Sequence, residues 1–287
     1  MTETLSPPAT PPVSQDLRAR QLATSPPRPR HYAGVNWTGL ITLYSKEVRR
    51  FWKVGLQTIA GPVVQTLLYM MIFVVAMGKA RPLVDSVPFA NFVAPGLIMM
   101  AILQNAFANS SSSLIQAKIM GTAPDFLTPP LSPFEQAAAF SLGAATRGVV
   151  VGLVTAASVW PFAHFGIASV PAILFYAVAS SLLMGFVGVV TGLWAEKFDH
   201  LAAITTFIVG PLTFLSGTFY SITALPEPFR DIARFNPFFY VIDGFRFGFT
   251  GHADGNLAIG STFVTLLTSG LGVTSWLLFK SGWRLKS

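Results

Sequence analysis

The residues that most often carry chemistry are few in this chain and are not arranged for it. The four histidines stand in separate segments, at His31, His164, His200 and His252, and there is no cysteine. The pair Gly78-Lys79 lacks the upstream glycine of a phosphate-binding loop, and no Gly-x-Ser-x-Gly motif for acyl transfer is present. The sequence therefore predicts no catalytic residue, no cofactor-binding residue and no metal ligand.

Ionisable residues inside apolar segments usually mark ion transport or catalysis, and this chain has very few of them. Arg147 stands at the inner end of a predicted span. The favoured interpretation is that its side chain extends back to the lipid headgroups. Asp243 and Arg246 are the only candidates for a membrane-embedded enzyme, and an ion pair that stabilises a loop is the simpler role. Because the sequence has no series of buried Asp or Glu residues, transport coupled to protons is disfavoured. Transport coupled to sodium ions bound by carbonyl groups stays possible.

Long uncharged stretches dominate the sequence. Apolar residues make up 52% of the chain and charged residues 11%, against about 25% charged residues in soluble domains. The mean hydropathy is +0.57, and a helix needs about 20 apolar residues to cross the hydrocarbon layer. The sequence therefore predicts an all-α membrane protein with six transmembrane helices, at about 54–77, 89–111, 144–162, 171–194, 201–220 and 257–279.

Basic residues concentrate at the two ends of the chain and account for most of the net charge of +7. Eight basic and three acidic residues lie in 1–53, and three basic residues lie in 280–287. Because basic segments favour the cytoplasmic side, both termini are predicted to be cytoplasmic. The proline-rich segment 1–34 is predicted to be a disordered cytoplasmic tail, and 35–287 the transmembrane domain. This pattern gives no indication of nucleic-acid binding.

Residues 37–53 are predicted to form an amphipathic helix that lies in the plane of the membrane surface. One face carries Trp37, Leu40, Ile41, Tyr44, Val48, Phe51 and Trp52, and the other carries Lys46, Arg49, Arg50 and Lys53. Aromatic side chains anchor at the headgroups and cations favour anionic lipid, so membrane lipid is the expected partner. A soluble amphipathic helix packed on a protein partner is the alternative.

A short segment on the predicted cytoplasmic side combines prolines with apolar side chains. Its central residues are Pro124, Asp125, Phe126, Leu127, Pro129, Pro130 and Leu131. An apolar surface exposed to water commonly marks a binding site for a partner. Two interpretations are open: a partner-binding surface, or a segment that folds back against the membrane.

The segment 221–256 is too aromatic for a solvated loop and too charged for a transmembrane helix. We expect two short helices between the fifth and sixth spans, which dip part-way into the membrane from outside and are broken at Asn236-Pro237. Such a re-entrant pair is stable only where protein or a water-filled cavity shelters its backbone.

Several motifs resemble those of the membrane subunits of type-2 ABC exporters. They are Lys46-Glu47-Val48-Arg49-Arg50-Phe51, Phe92–Met100, Asn105–Asn109, the proline-rich segment, Leu215–Ser221, Leu225-Pro226, Asn236-Pro237 and Gly244–Gly248. The resemblance covers nearly all of the chain after the tail, and the closing series from Leu215 onward is its most specific part. The similar group contains bacterial inner-membrane permeases of drug and polysaccharide exporters.

The resemblance implies a working unit of two membrane subunits and two separate ATPase subunits, which bind ATP and Mg²⁺ in place of this chain. It implies that residues 124–131 couple to the ATPase, so that Phe126→Asp or Leu127→Asp uncouples ATP hydrolysis from export. It also implies an outer gate with Pro226, Asn236, Pro237, Tyr240, Gly244 and Arg246.

The implied function is a transport subunit, not itself an enzyme, that exports an amphipathic, lipid-linked or polysaccharide substrate across the bacterial cytoplasmic (inner) membrane. One alternative is a channel or secondary transporter without ATP coupling. Another is a membrane-embedded lipid-modifying enzyme. The polar residues that weakly favour a channel are Gln104, Asn105, Asn109 and Ser110–Ser113. Copurification with an ATPase separates the first function from the other two.

Overall fold

The fold is almost entirely helical, as the uncharged stretches predict. The computed structural model describes residues 34–77, 83–84 and 87–284. Their α-helices are α1 (Trp37–Lys53), α2 (Gly55–Met77), α3 (Phe89–Ile119), α4 (Pro124–Leu127), α5 (Pro133–Val159), α6 (Val170–Trp194), α7 (Phe198–Ile204), α8 (Gly210–Phe214), α9 (Glu227–Phe235), α10 (Pro237–Thr250) and α11 (Leu257–Ser281). The prediction of an all-α membrane protein is confirmed.

Three small elements complete the described structure. A π-helical turn, Thr205–Val209, joins α7 to α8, and a 3-10 turn covers Ile222–Ala224. The strands β1 (Leu83–Val84) and β2 (Val87–Pro88) pair antiparallel. The tail predicted for 1–34 lies, apart from its last residue, outside the described residues.

Five of the described helices are long and apolar enough to cross a membrane: α2, α3, α5, α6 and α11. The fifth predicted span, 201–220, corresponds to a shorter apolar helix from Phe198 to Phe214 that includes the π-helical turn. The left-handed backbone of Gly217 (φ +75°) follows soon after and is incompatible with a continuing right-handed helix. The count of six spans stays a prediction.

The helix of the third predicted span begins at Pro133 and not near residue 144. Ser132 caps it, because the Glu135 N–H donates to Ser132 Oγ (3.3 Å) while the Ser132 N–H donates to Glu135 Oε2 (2.7 Å). This reciprocal capping box is a strong helix start. Arg147 therefore lies near the middle of a 27-residue helix, and its place at the inner end of the span stays a prediction.

α3 is the central helix of the described structure and packs against α5 and α6 through glycines. A Cβ atom at Gly192 of α6 would lie 2.9 Å from Leu114 of α3, and one at Gly188 would overlap Ser110. A Cβ atom at Gly148 of α5 would lie 3.1 Å from Ala106 of α3. Small residues permit such close approach of helices in membranes. These glycines therefore serve packing within the chain.

α2 and α11 leave most of their apolar surface uncovered. Only 17% of the most apolar stretch of α2 and 11% of that of α11 is buried, against 83% for α3. In lipid this exposure carries no hydrophobic penalty, since acyl chains are as apolar as leucine side chains. Both helices therefore have faces free for lipid or for a second copy of the chain.

The segment 221–256 contains the two short helices that the sequence predicts. Asn236 separates α9 from α10, and Pro237 occupies the first position of α10, where its missing N–H has no partner to lose. α10 packs on α3, α6 and α11. The depth of this pair in the membrane stays a prediction.

Candidate functional site

The predicted helix at 37–53 is confirmed with the same bounds as α1, but its buried face differs from the predicted apolar face. Leu40, Leu43, Glu47 and Phe51 are buried and form one stripe along the helix, because they recur every three or four residues. Among the other predicted residues, the exposed ones are Trp37, Ile41, Lys46, Arg49, Trp52 and Lys53. Half-buried Tyr44 shares a hydrogen bond with Thr146 of α5 (2.9 Å between the hydroxyl oxygens).

Glu47 is fully buried where α1 crosses α3 and α5. Ser113 Oγ of α3 donates to its Oε1 (2.7 Å), and Arg50 donates from Nε and Nη2 to its Oε2 (3.3 Å each). Gly143 of α5 makes the crossing possible, because a Cβ atom there would lie 2.7 Å from Glu47 Cβ. A carboxylate with no exposure is stable only with such partners.

Arg50 reaches inward from α1 to α3, although the sequence analysis placed it on the exposed polar face. Its Nη2 donates to the Asn109 main-chain oxygen (2.6 Å) and to Asn109 Oδ1 (3.1 Å), and its Nη1 donates to Ser112 Oγ (3.2 Å). With the Glu47 ion pair, these bonds use most of the five N–H groups of the guanidinium. Arg50 therefore ties α1 to α3.

Arg147 lies one α5 turn beyond Gly143 and donates from Nη2 to Asn105 Oδ1 of α3 (3.1 Å). Asn105 Nδ2 in turn donates to the Ala101 main-chain oxygen (3.0 Å). Among the described residues, two buried donors of this region have no hydrogen-bond partner, Arg147 Nε and Asn109 Nδ2. We call the whole group the charged cluster: Glu47, Arg50, Asn105, Asn109, Ser112, Ser113 and Arg147.

The sequence analysis missed the charged cluster although part of its signal is in the sequence. Glu47 falls on the same helical stripe as Leu43 and Phe51, so the spacing places an acid on the packed face of α1. Asn105 and Asn109 belong to the polar series that favoured a channel, and the structure uses both of them to bind arginine.

An open cleft of about 960 Å³ runs along the other side of α1. We call it the basic cleft. It is lined by Ile41, Thr42, Ser45, Lys46, Arg49, Arg50, Lys53, Val54 and Gln116. Arg50 lines the cleft and also belongs to the charged cluster. The lining contains four cations and no acidic residue.

The coupling segment, residues 124–131, begins with α4 and folds back on the bundle. Phe126 is only 2% exposed, and its ring packs edge-on against Phe140 of α5 with ring centres 5.3 Å apart. Gln136 Nε2 donates to the Phe126 main-chain oxygen (3.2 Å). Phe126 is thus a core residue, and the expectation that it contacts a partner is wrong.

The remaining coupling-segment residues divide between a packed side and a free side. Leu127, Pro129 and Leu131 are half-buried, and both leucines pack against the cluster around Phe126. Pro124, Asp125 and Pro130 are exposed. Phe126→Asp would therefore disrupt packing before it could affect a partner, whereas changes at the exposed residues leave the core intact.

Glu135 of α5 and Asn36 together join α5, the start of α1 and the coupling segment. Its Oε1 accepts from the Asn36 N–H (2.6 Å) at the start of α1, while Oε2 holds the cap of α5. Asn36 Nδ2 donates to the Pro130 main-chain oxygen (3.1 Å), and Leu131 packs where a side chain at Gly39 would lie. The sequence analysis did not select Glu135, although the spacing Ser132-x-x-Glu135 is a capping-box signal.

In the outer pair of helices, Asn236 connects α10 to the end of α8. Its Oδ1 caps α10 by accepting from the Phe238 N–H (3.1 Å), and its Nδ2 donates to the Leu212 main-chain oxygen (2.7 Å) and to Ser216 Oγ (2.8 Å). Pro226 directly precedes α9. Asn236 therefore fixes the break between α9 and α10 to the neighbouring helix.

Three predicted gate residues on α10 pack against neighbouring helices. Arg246 is 3% exposed, lies 3.8 Å over the ring centre of Phe92, and donates to the main-chain oxygens of Phe92 (3.1 Å) and Gly217 (2.6 Å). Gly244 lies directly against the ring of Tyr176 of α6, and the Tyr240 ring lies 5.2 Å from that of Phe263 on α11. α10 is thus held on three sides.

Asp243 organises the loop that follows α10. Its Oδ1 and Oδ2 accept from the main-chain N–H groups of Asp254 (2.8 Å) and Gly255 (2.9 Å). Burial raises the pKa of the Asp243 carboxyl above its ordinary value, and these two N–H groups and the nearby Arg246 oppose that rise. Both oxygens of Asp243 are therefore used to hold the loop.

Comparisons with known proteins identify the family of this chain. The family model for the ABC-2 type transporter matches residues 38–250. The chain is 33% identical over 252 residues to the inner membrane transport permease YadH of Escherichia coli (strain K12), which covers 88% of this chain and 98% of that one.

More distant relatives share the same part of the chain. Nodulation protein J of Rhizobium leguminosarum bv. viciae is 24% identical over 231 residues, which is 79% of this chain and 86% of that one. Nodulation protein J of Rhizobium meliloti (strain 1021) is 24% identical over 226 residues, 74% of this chain and 80% of that one. The motifs, the helical membrane fold and these matches lead to one conclusion: the chain belongs to the ABC-2 type transporter membrane family and is a membrane transport subunit.

Proposed function

We propose that this chain is the permease half of an ATP-driven exporter in a bacterial inner membrane, working as two copies with two copies of a separate ATPase. Family membership and the name of the Escherichia coli relative, an inner membrane transport permease, support this proposal. ATP and Mg²⁺ bind to the ATPase. The substrate class that we propose is an amphipathic, lipid-linked or polysaccharide molecule.

The observation that carries the proposal is the joint formed by the coupling segment. Glu135 holds the starts of α1 and α5 together, Phe126 packs on α5, and Leu131 packs on α1. A protein that binds the exposed side of this segment therefore moves α1 and α5 as a unit. ATP shifts the equilibrium between two states of the complex only by its different affinity for them, and this joint transmits that difference to the spans.

Replacing Asp125 by arginine is expected to weaken the ATPase complex about tenfold without unfolding the permease. Asp125 is exposed on the free side of the coupling segment, so a reversed charge alters the proposed contact and no core packing. The measurement is the amount of ATPase copurified and its substrate-stimulated hydrolysis in a reconstituted complex.

Asp231→Arg is the matched control for Asp125→Arg, because Asp231 is an exposed acid on α9, at the proposed outer side. This variant should copurify the ATPase as the unaltered chain does. If the unaltered chain retains no ATPase, or if both variants retain it equally, the proposed coupling contact is wrong.

Asp125 and Asp231 are expected to lie on opposite sides of the membrane, because Phe198–Phe214 crosses it in the six-span topology. The chain contains no cysteine, so Asp125→Cys and Asp231→Cys each introduce a unique thiol. In intact cells whose outer membrane has been permeabilised, a membrane-impermeant maleimide should label residue 231, and it should label residue 125 only after lysis. If residue 231, like residue 125, is labelled only after lysis, Phe198–Phe214 does not cross the membrane.

A further inference from the structure

The charged cluster contains more positive than negative charge. Arg50 and Arg147 supply two cations, and Glu47 supplies the one carboxylate that contacts the cluster among the described residues. Glu47 is already paired with Arg50, so Arg147 is left with the neutral oxygen of Asn105 as its side-chain acceptor. One positive charge is therefore without a counter-charge within the described structure.

Such an excess is costly inside a membrane protein. A buried cation loses its hydration, and that loss is recovered only through an opposite charge and a full set of acceptors. Two donors in this region also lack acceptors, Arg147 Nε and the fully buried Asn109 Nδ2. An anion with several oxygen acceptors would supply both the missing counter-charge and the missing hydrogen-bond acceptors.

The two unpartnered donors lie at the contact between α3 and α5, about one helical turn apart. Asn105 and Asn109 are one turn apart on α3, and Gly143 and Arg147 are one turn apart on α5, so each pair shares a helix face. A Cβ atom at Gly143 would lie 3.5 Å from Asn109 Nδ2, which places that face of α5 against the unpartnered amide.

The basic cleft reaches the charged cluster at Arg50. Arg50 lines it and donates to Asn109 behind it, so an anion in the cleft meets the charged cluster at Arg50. The other cations of the lining, Lys46, Arg49 and Lys53, attract an anion towards this point. The apolar side chains of Ile41 and Val54 in the same lining suit the hydrocarbon part of an amphiphile.

We propose that Arg50, Arg147 and Asn109 form a binding site for an anionic group of the phosphate class, supplied from outside this chain through the basic cleft. The group is the headgroup phosphate of a lipid or a free phosphate anion, since both present the same oxygens to a guanidinium. The site does not depend on the proposed ATPase coupling, because it rests on the charges and donors of this chain alone.

The first test measures the thermal midpoint of the purified full chain in lipid nanodiscs. One arm compares phosphatidylcholine alone with phosphatidylcholine that contains phosphatidylglycerol. The other arm titrates inorganic phosphate into the phosphatidylcholine sample at constant ionic strength. If the midpoint rises only in the phosphatidylglycerol arm, the bound group is a lipid headgroup. If the midpoint rises with inorganic phosphate, the bound group is a free anion. No rise in either arm would overturn the proposal.

Asn109→Asp gives a sharper test because it places a carboxylate of the same shape beside Arg50. This variant should raise the midpoint in phosphatidylcholine and abolish the anion-dependent rise. A lower midpoint in phosphatidylcholine would show that the cluster needs no negative charge and would contradict the proposal. Arg147→Gln should weaken the apparent affinity for the anion about tenfold, through loss of a charge-assisted contact.

Arg234→Gln is the matched control for the arginine variant. Arg234 is an exposed arginine of α9, paired with Asp231 and distant in sequence from the cluster. The anion-dependent rise should persist in this variant. If it is lost there too, the effect comes from general surface charge, and the assignment to Arg50, Arg147 and Asn109 is wrong.

Discussion

Glu47→Ala is expected to lower the free energy of unfolding by about 3 kcal/mol or more, a large effect for a single side chain. The substitution removes the carboxylate that is paired with Arg50 and leaves two half-buried cations, Arg50 and Arg147, without it. It also strips Ser113 Oγ of its acceptor. The measurement is the thermal midpoint and denaturant resistance of the purified chain in nanodiscs.

Two further variants separate charge from shape at Glu47. Glu47→Gln keeps the size of the side chain and the acceptor for Ser113, so it should lose somewhat less stability than Glu47→Ala. Glu227→Ala removes an exposed carboxylate from its pair with half-buried Arg230 and should cost about 1 kcal/mol or less. Equal losses for Glu47→Ala and Glu227→Ala would show that the buried pair has no special weight.

Gly244→Ala is expected to destabilise the outer pair of helices by about 3 kcal/mol. A Cβ atom at this position would overlap the ring of Tyr176, which is 3% exposed and has little room to move. The strain would push α10 away from α6. The amount of folded protein and its thermal midpoint report this loss directly.

Gly270→Ala supplies the control for Gly244→Ala, because a Cβ atom at Gly270 of α11 meets no atom within 4 Å among the described residues. That change should be neutral or stabilise the helix by about 1 kcal/mol. The double variant Gly244→Ala with Tyr176→Ala should lose less than the two single losses combined, because the second change removes the overlap. Additive losses would mean that the ring contact is not the cause.

Features that depend on neighbouring residues were predictable from the sequence. The bounds of α1 and the break at Asn236-Pro237 were both predicted, because caps, prolines and helical periodicity act within a few positions. The uncharged stretches likewise predicted the helices that are long enough to cross a membrane. The start of α5 lies well before residue 144, the predicted start of the span, because a local capping box at Ser132 begins the helix ahead of the apolar stretch.

Features that depend on residues far apart in the chain could not be predicted from spacing. Arg50 binds Asn109 at a separation of 59 residues, and Glu135 binds the Asn36 N–H at a separation of 99 residues. The burial of Phe126 likewise requires Phe140 and Phe279 to stand in one cluster. A sequence contains the residue types for such contacts, but only the packing of the helices decides which of them meet.

The capping of α5 by the residues that also hold α1 has a mechanical consequence. α5 contains 27 residues, so it extends about 40 Å from the joint at 1.5 Å per residue. If the joint rotates as a rigid crank, a tilt of about 10° at Ser132 displaces the far end of such a rod by about 7 Å. A small movement of the coupling segment would thus produce a larger displacement of the far end of α5, at the opposite membrane surface. The few hydrogen bonds of Glu135 would determine how much of that movement reaches α5.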